Sequence, residues 1–272
     1  MKLAITLCLC CVSIFSFSQN AKQTLISSYI KTGAYSEKQN DVFSFASNQA
    51  SLAQLKTFSA GAYSERKFML NELALFSATA ALPTRSGNFG LQLHRYGNSS
   101  YNEMQAGLAY ARKLNESIDI GVQFNYYNVQ IAGYGNAGAV NFEAGALFHF
   151  TDQLHGGIHV YNPTSSKLGK NEEEKLPAVY SVGLGYDASD DFFLSAEIEK
   201  TEDLPLNVNA AIQYRFADRF LARAGVATAT SIYFLGVGFT LKDFRLDVMA
   251  SVHPQLGVTP GLMLIYTKHS KD

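Results

Sequence analysis

The sequence predicts an all-β protein: a transmembrane up-and-down antiparallel β-barrel of about 14 strands with a short N-terminal segment plugging its lumen. Three observations carry the prediction. Segment after segment alternates apolar and polar side chains, the period of a strand with one oily and one wet face. Many of these segments are about 10 residues long, which crosses a bilayer when the strand is tilted. The connections alternate between tight and long, as in barrels with short turns on one side and loops on the other.

The N-terminus reads MKLAITLCLCCVSIFSFSQ. Lys2 gives a positive start, Leu3 to Phe17 is largely apolar, and Ser16 and Ser18 are small residues before a cut at Gln19. That pattern predicts a secretory signal peptide over residues 1–18. Cys8, Cys10 and Cys11, the chain's 3 cysteines, all fall inside it. They follow Leu or Cys, which argues against a lipoprotein signal. The mature chain is therefore expected to hold no disulfide, no thiolate metal site and no cysteine nucleophile. No later run of about 20 apolar residues predicts a membrane helix.

Residues 19–56 have no sustained period of two. Thr24–Ile30 and VFSFASNQASLAQL at 42–55 suit short helices or irregular packed segments, and Val42, Phe43, Phe45, Leu52 and Leu55 need something to pack against. A plug- or hatch-like segment is expected here, with the barrel over 57–272.

The strands are expected near 57–65, 69–82, 86–97, 101–114, 117–130, 137–151, 153–162, 178–187, 191–201, 206–217, 219–228, 231–241, 243–253 and 256–267. LNVNAAIQYRF at 206–216 shows the pattern: Leu206, Val208, Ala210, Ile212, Tyr214 and Phe216 against Asn207, Asn209, Ala211, Gln213 and Arg215. Tight turns are expected at Asn115, Asp152, Asp190, Asp218 and Asp243, whose side chains suit reversals. The long set includes residues 163–177, whose KNEEEK at 170–175 reads as a solvated loop.

Which solvent the oily face meets is decided by the other face. In a soluble sandwich the wet face is largely charged. Here it mixes Asn, Gln, Ser, His, single charges and the glycines 121, 145, 157, 183, 185 and 225. Small inward residues relieve crowding in a lumen that holds a plug. Glu197, Glu199, Arg215, Arg223, Arg245 and Asp247 share that face, and Arg215 is expected near Glu197. Charges in a narrow lumen need partners, so these six are read as a stabilising ladder rather than a substrate site. Tyr63, Tyr101, Tyr126, Tyr180, Tyr186, Tyr214, Phe216, Phe220, Tyr233 and Tyr266 supply aromatic girdles at the strand ends.

The remaining chemistry is thin. A net charge of -1 argues against a nucleic-acid partner. His155 and His159 share a strand face but sit about 13 Å apart at ~3.3 Å per residue, too far for one metal. Neither H-E-x-x-H nor G-x-S-x-G occurs, and GNAGAV at 135–140 lacks the Lys-Ser/Thr of a phosphate loop. No catalytic residue, cofactor or metal site is assigned.

In architecture the chain resembles the FadL-type outer-membrane proteins, and within them the PorV/PorQ branch that accompanies the type IX secretion system of Bacteroidetes. TGAYSEKQND (32–41) and SNQASLAQL (47–55) stand where that family carries a Gly/Ala-rich stretch, an Asp and an Asn-Pro-Ala-Gly-Leu motif. Asn48, Ala50 and Leu52 match; Gln49 replaces the Pro and Ser51 the Gly. The resemblance implies a non-enzymatic protein of the outer membrane, in contact with its lipid, that assists secretion or surface attachment by docking secretion-machinery proteins or secreted cargo. FadL-like passage of a hydrophobic ligand is the alternative it implies. A soluble secreted β-protein and a barrel enzyme rank behind both.

Overall fold

The computed structural model describes residues 25–169, 174–217 and 219–268. Fourteen strands hydrogen-bond in one closed antiparallel ring. In chain order they are β1 (Ser59–Arg66), β2 (Ala74–Thr84), β3 (Gly87–Gly97), β4 (Tyr101–Asn115), β5 (Ile118–Ile131), β6 (Gly135–His149) and β7 (Leu154–Tyr161). The ring continues with β8 (Val179–Asp187), β9 (Phe192–Thr201), β10 (Asn207–Phe216), β11 (Phe220–Ala227), β12 (Ile232–Leu241), β13 (Phe244–His253) and β14 (Gly257–Thr267). β1 closes it: Tyr63 stands opposite Ser77 of β2 on one side and Met263 of β14 on the other. Closure removes every sheet edge, which is how strands satisfy their backbone in hydrocarbon.

The alternation sorts the side chains as a lipid-facing wall requires. Along β10, Val208, Ile212, Tyr214 and Phe216 are exposed outward, whereas Gln213 is buried inward. The tight turns, the start of β1 and the end of β14 share one rim, where Lys268 N donates to Phe58 O. Short turns mark the periplasmic rim. Above it, Phe192, Tyr214, Phe216, Phe220 and Phe239 form a continuous run of ring contacts along the outer wall. Tyr63, expected in such a girdle, faces inward instead: β1 begins with Ser59 pointing to the lumen, so parity sends Tyr63 there, where its hydroxyl donates to Glu65.

One strand start differs from expectation. β2 begins at Ala74 rather than near 69, because Lys67–Met69 and Asn71–Leu73 form two 3-10 turns. Phe68 and Met69 are both left-handed there, with φ of 55° and 61°, a conformation that costs a non-glycine residue about 1 kcal/mol. The turn is tied over the loop-side mouth by Phe68 N donating to Thr259 Oγ1. The long loop after β7 carries its own two-residue ladder, Lys167–Leu168 with Glu174–Lys175. The expected signal peptide (1–18), residues 19–24, Asp218, most of KNEEEK and His269 lie outside the described residues.

Candidate functional site: the filled lumen

Residues 25–55 occupy the barrel interior as α1 (Ser28–Lys31) and three 3-10 segments, Thr32–Tyr35, Ser44–Ala46 and Gln49–Gln54. These short turns suit a segment without strand periodicity, and local side-chain bonds fix them. Asn48 accepts from Ala50 N and so caps Gln49–Gln54, while its Nδ2 donates to the carbonyls of Ala146 and Ile158 on the wall. Asp41 accepts from Phe43 N and starts the turn before Ser44. Ile30, Val42, Phe43, Phe45 and Leu52 are buried against Tyr63, Leu75, Met249, Met263 and Ile265 of the wall. The wall makes room with glycine: a Cβ at Gly236 would strike the Tyr29 ring, and one at Gly183 the Tyr35 ring.

Charge then fixes position. Asp41 takes Arg245 Nη2 at 2.7 Å and Arg223 Nη2 at 3.4 Å. Arg223, 1% exposed, also donates to Gln213 Oε1 and to Tyr29 O, and its guanidinium lies over the Tyr29 ring. Arg245 Nε reaches Asp247 Oδ1 at 3.0 Å, and Tyr29 donates to the other Asp247 oxygen. Lys31 pairs with Glu199 at 2.5 Å, and Tyr35 donates to Glu197 at 2.6 Å. Burial alone would raise the Asp41 carboxyl; the two guanidiniums outweigh it and hold the group below its usual value. Burial likewise pulls the Lys31 ammonium down, but Glu199 and Glu197 outweigh it and the ammonium is raised.

The six charged residues read from the sequence are thus dispersed rather than paired with one another. Glu197, Glu199, Arg223, Arg245 and Asp247 line the lumen, and Arg245–Asp247 is the pair formed among them in the described residues. Arg215 is not near Glu197. The register sets Glu197 opposite Asn209 and Arg215 opposite Leu221, so the two sit about 20 Å apart along the wall at ~3.3 Å per residue. Arg215 lies at the tight-turn rim beside Asp190, whose exposed carboxyl it helps to lower after Lys38. Lys31, Asp41, Tyr29 and Tyr35 escaped the sequence reading. They share no period, and their partners lie more than 150 positions away.

A hollow of about 380 Å³ opens at the tight-turn rim beside Asp41, Gln54 and Arg245, and little space remains toward the other mouth. Two hollows near the loop-side mouth hold about 110 and 50 Å³, the first bordered by Lys31, Glu65 and Glu199, the second by Glu143, His159 and Tyr161. Volumes this small suit a few waters rather than an acyl chain. A larger apolar hollow of about 840 Å³ runs along the wall at Ala62, Phe76, Ala78, Leu93, Leu262 and Leu264.

A family model described as type IX secretion system membrane protein PorP/SprF matches residues 70–258. No curated protein sequence matches the chain. Among solved structures, the toluene transporter TodX of Pseudomonas putida aligns with TM-score 0.63 at 11% identity, covering 90% of this chain and 97% of that one. The toluene transporter TbuX of Ralstonia pickettii gives 0.61 at 12%, covering 84% and 94%. A FadL homologue of Pseudomonas aeruginosa gives 0.57 at 12%, covering 84% and 93%. At such identity these likenesses speak for the fold.

Proposed function

Because this chain belongs to the PorP/SprF family of type IX secretion system membrane proteins, we propose that it serves secretion as a plugged, non-enzymatic barrel. It docks secretion-machinery proteins or secreted cargo on its rim and loops and passes nothing through its lumen. It is an outer-membrane protein: its family is one of membrane proteins and its fold is a FadL-like barrel. The observation that carries the proposal is the lumen itself, filled by residues 25–55 and crossed by the Asp41–Arg223–Arg245 ties. A wall that conducts nothing leaves its outer surfaces to do the work. The PorV/PorQ-like role within secretion rests on the Asn48, Ala50 and Leu52 motif, which here caps and anchors the plug.

The test is native purification from outer membranes in mild detergent, with conductance recorded in planar bilayers. Secretion-machinery proteins at stoichiometric yield and a silent barrel support docking. A bound acyl or aromatic molecule with no protein partner would overturn it in favour of transport. The transport reading has the 840 Å³ apolar hollow in its favour. Against it, β1, β2 and β3 are hydrogen-bonded behind that hollow, with Ser77 Oγ and His94 Nδ1 2.8 Å apart.

A further inference from the structure

We propose a divalent metal site, of the kind zinc fills, at the periplasmic rim between the plug and the wall, with His149, His155 and Glu37 as ligands. The β6–β7 hairpin sets His149 directly opposite His155, whereas His155 and His159, four apart on one strand, diverge to different partners. The two facing rings bring Nδ1 to Nδ1 at 2.9 Å. Their other nitrogens face carboxylates: His149 Nε2 stands 3.0 Å from Asp119 Oδ2, and His155 Nε2 3.2 Å from Asp187 Oδ2. Asp187 already accepts from Ser36 Oγ and Glu37 N, as an ionised carboxylate does.

His149 Nε2 donates to Asp119, so His149 Nδ1 is a bare lone pair. His155 Nε2 approaches Asp187 at 3.2 Å without completing a hydrogen bond, and once the His155 Nδ1 proton is given up two lone pairs face one another. Two lone pairs at hydrogen-bond distance repel unless a cation stands between them. Carboxylate-backed imidazoles are the arrangement that orients metal-binding histidines. Glu37 of the plug supplies the third donor: one ligand atom from each of Glu37, His149 and His155 falls within 4.8 Å of the others. Tetrahedral zinc at about 2.05 Å needs ligand atoms about 3.3 Å apart, so the pair has only to open by a few tenths of an ångström. His155 Nε2 makes no hydrogen bond that would hold its ring in place, so that ring is the one free to make the adjustment. Glu37 is exposed and also meets Lys113 at 3.3 Å, so solvent reaches the site from the periplasm. A metal here would clip plug to wall at the rim.

Calorimetry of the full chain without a histidine tag, in detergent, with zinc chloride as the probe, tests this. One saturable site per chain is expected. His149→Gln should weaken binding at least 100-fold, and Glu37→Gln about 10-fold. Cobalt in place of zinc should give the intense visible band of a four-coordinate site. Absence of saturable binding in the wild-type barrel would overturn the proposal and leave a shared proton between the rings. So would undiminished affinity in Glu37→Gln, an exposed substitution that spares the wall and keeps the test valid if His149→Gln fails to assemble.

Discussion

Asp41→Asn should unseat the plug while leaving the barrel standing. The side chain keeps its shape and an oxygen that can accept from Phe43 N, so the local turn survives. What is lost is the negative charge between Arg245 at 2.7 Å and Arg223 at 3.4 Å. Removing one partner of a buried ion pair costs about 3–5 kcal/mol. Arg245 retains Asp247, and Arg223 retains Gln213, Tyr29 O and the Tyr29 ring. The lower end applies, about 3 kcal/mol. At 1.4 kcal/mol per decade that raises the unseated fraction on the order of 100-fold. Limited proteolysis of residues 25–55 reads this fraction directly when opening is fast relative to cleavage. The cleavage rate should rise by about that factor, with heat-modifiable mobility of the barrel unchanged on gels. Equal cleavage rates in mutant and wild type would refute the assignment of Asp41 as the anchor. Loss of the folded barrel band would refute the claim that the wall stands without it.

The pH profile should follow the same carboxyl. Its folded value lies below the unfolded one, so its contribution is full above about 4 and is lost as the pH falls through the folded value. Plug cleavage by an acid-tolerant protease should be flat from neutral pH down to about 5 and climb below about 4, and Asp41→Asn should flatten the climb. Gly183→Val places a side chain against the Tyr35 ring; overpacking of this kind costs about 1–3 kcal/mol. Plug protection should fall with the barrel intact, as paired proteolysis and circular dichroism would show. Val237→Arg puts a charge mid-strand on the outward face, where Val237 is exposed. Such a charge costs about 2–4 kcal/mol at the bilayer midplane, measurable as a lowered urea midpoint of refolding into vesicles.

The wall was legible because its signal is local. Parity along each strand assigns inward and outward faces without reference to any other strand, and turn spacing follows from the same pattern. Position along the barrel axis is different: it depends on the register between strands. Glu197 and Arg215 show the consequence, since both face inward as parity demands yet lie far apart. β2 shows another limit, because its oily beginning continues a pattern that two left-handed residues break. The plug was legible in outline, through its lack of period and its stranded apolar residues. Its partners were not, since Tyr29 meets Asp247 across 218 positions. One signal did point to it: inward glycines such as Gly183 are the sockets in which plug aromatics sit.

The distribution of the ties argues about mechanism as well as stability. They reach almost around the ring: Asn88 of β3, the carbonyls of Ala146 and Ile158 on β6 and β7, Asp187 of β8, Glu197 and Glu199 of β9, Arg223 of β11 and Asp247 of β13. A hatch that swings open needs a free side and a hinge. Here motion in any direction breaks ties on the opposite wall before it opens a path. Buried ion pairs contribute little net stability once desolvation is counted. Their charges are better suited to fixing one seating of the plug among many apolar alternatives. Under the docking role proposed above, a plug tied to so many strands would hold the rims in one shape. Constant shape is what docking requires, and what a channel that must open for each passenger lacks.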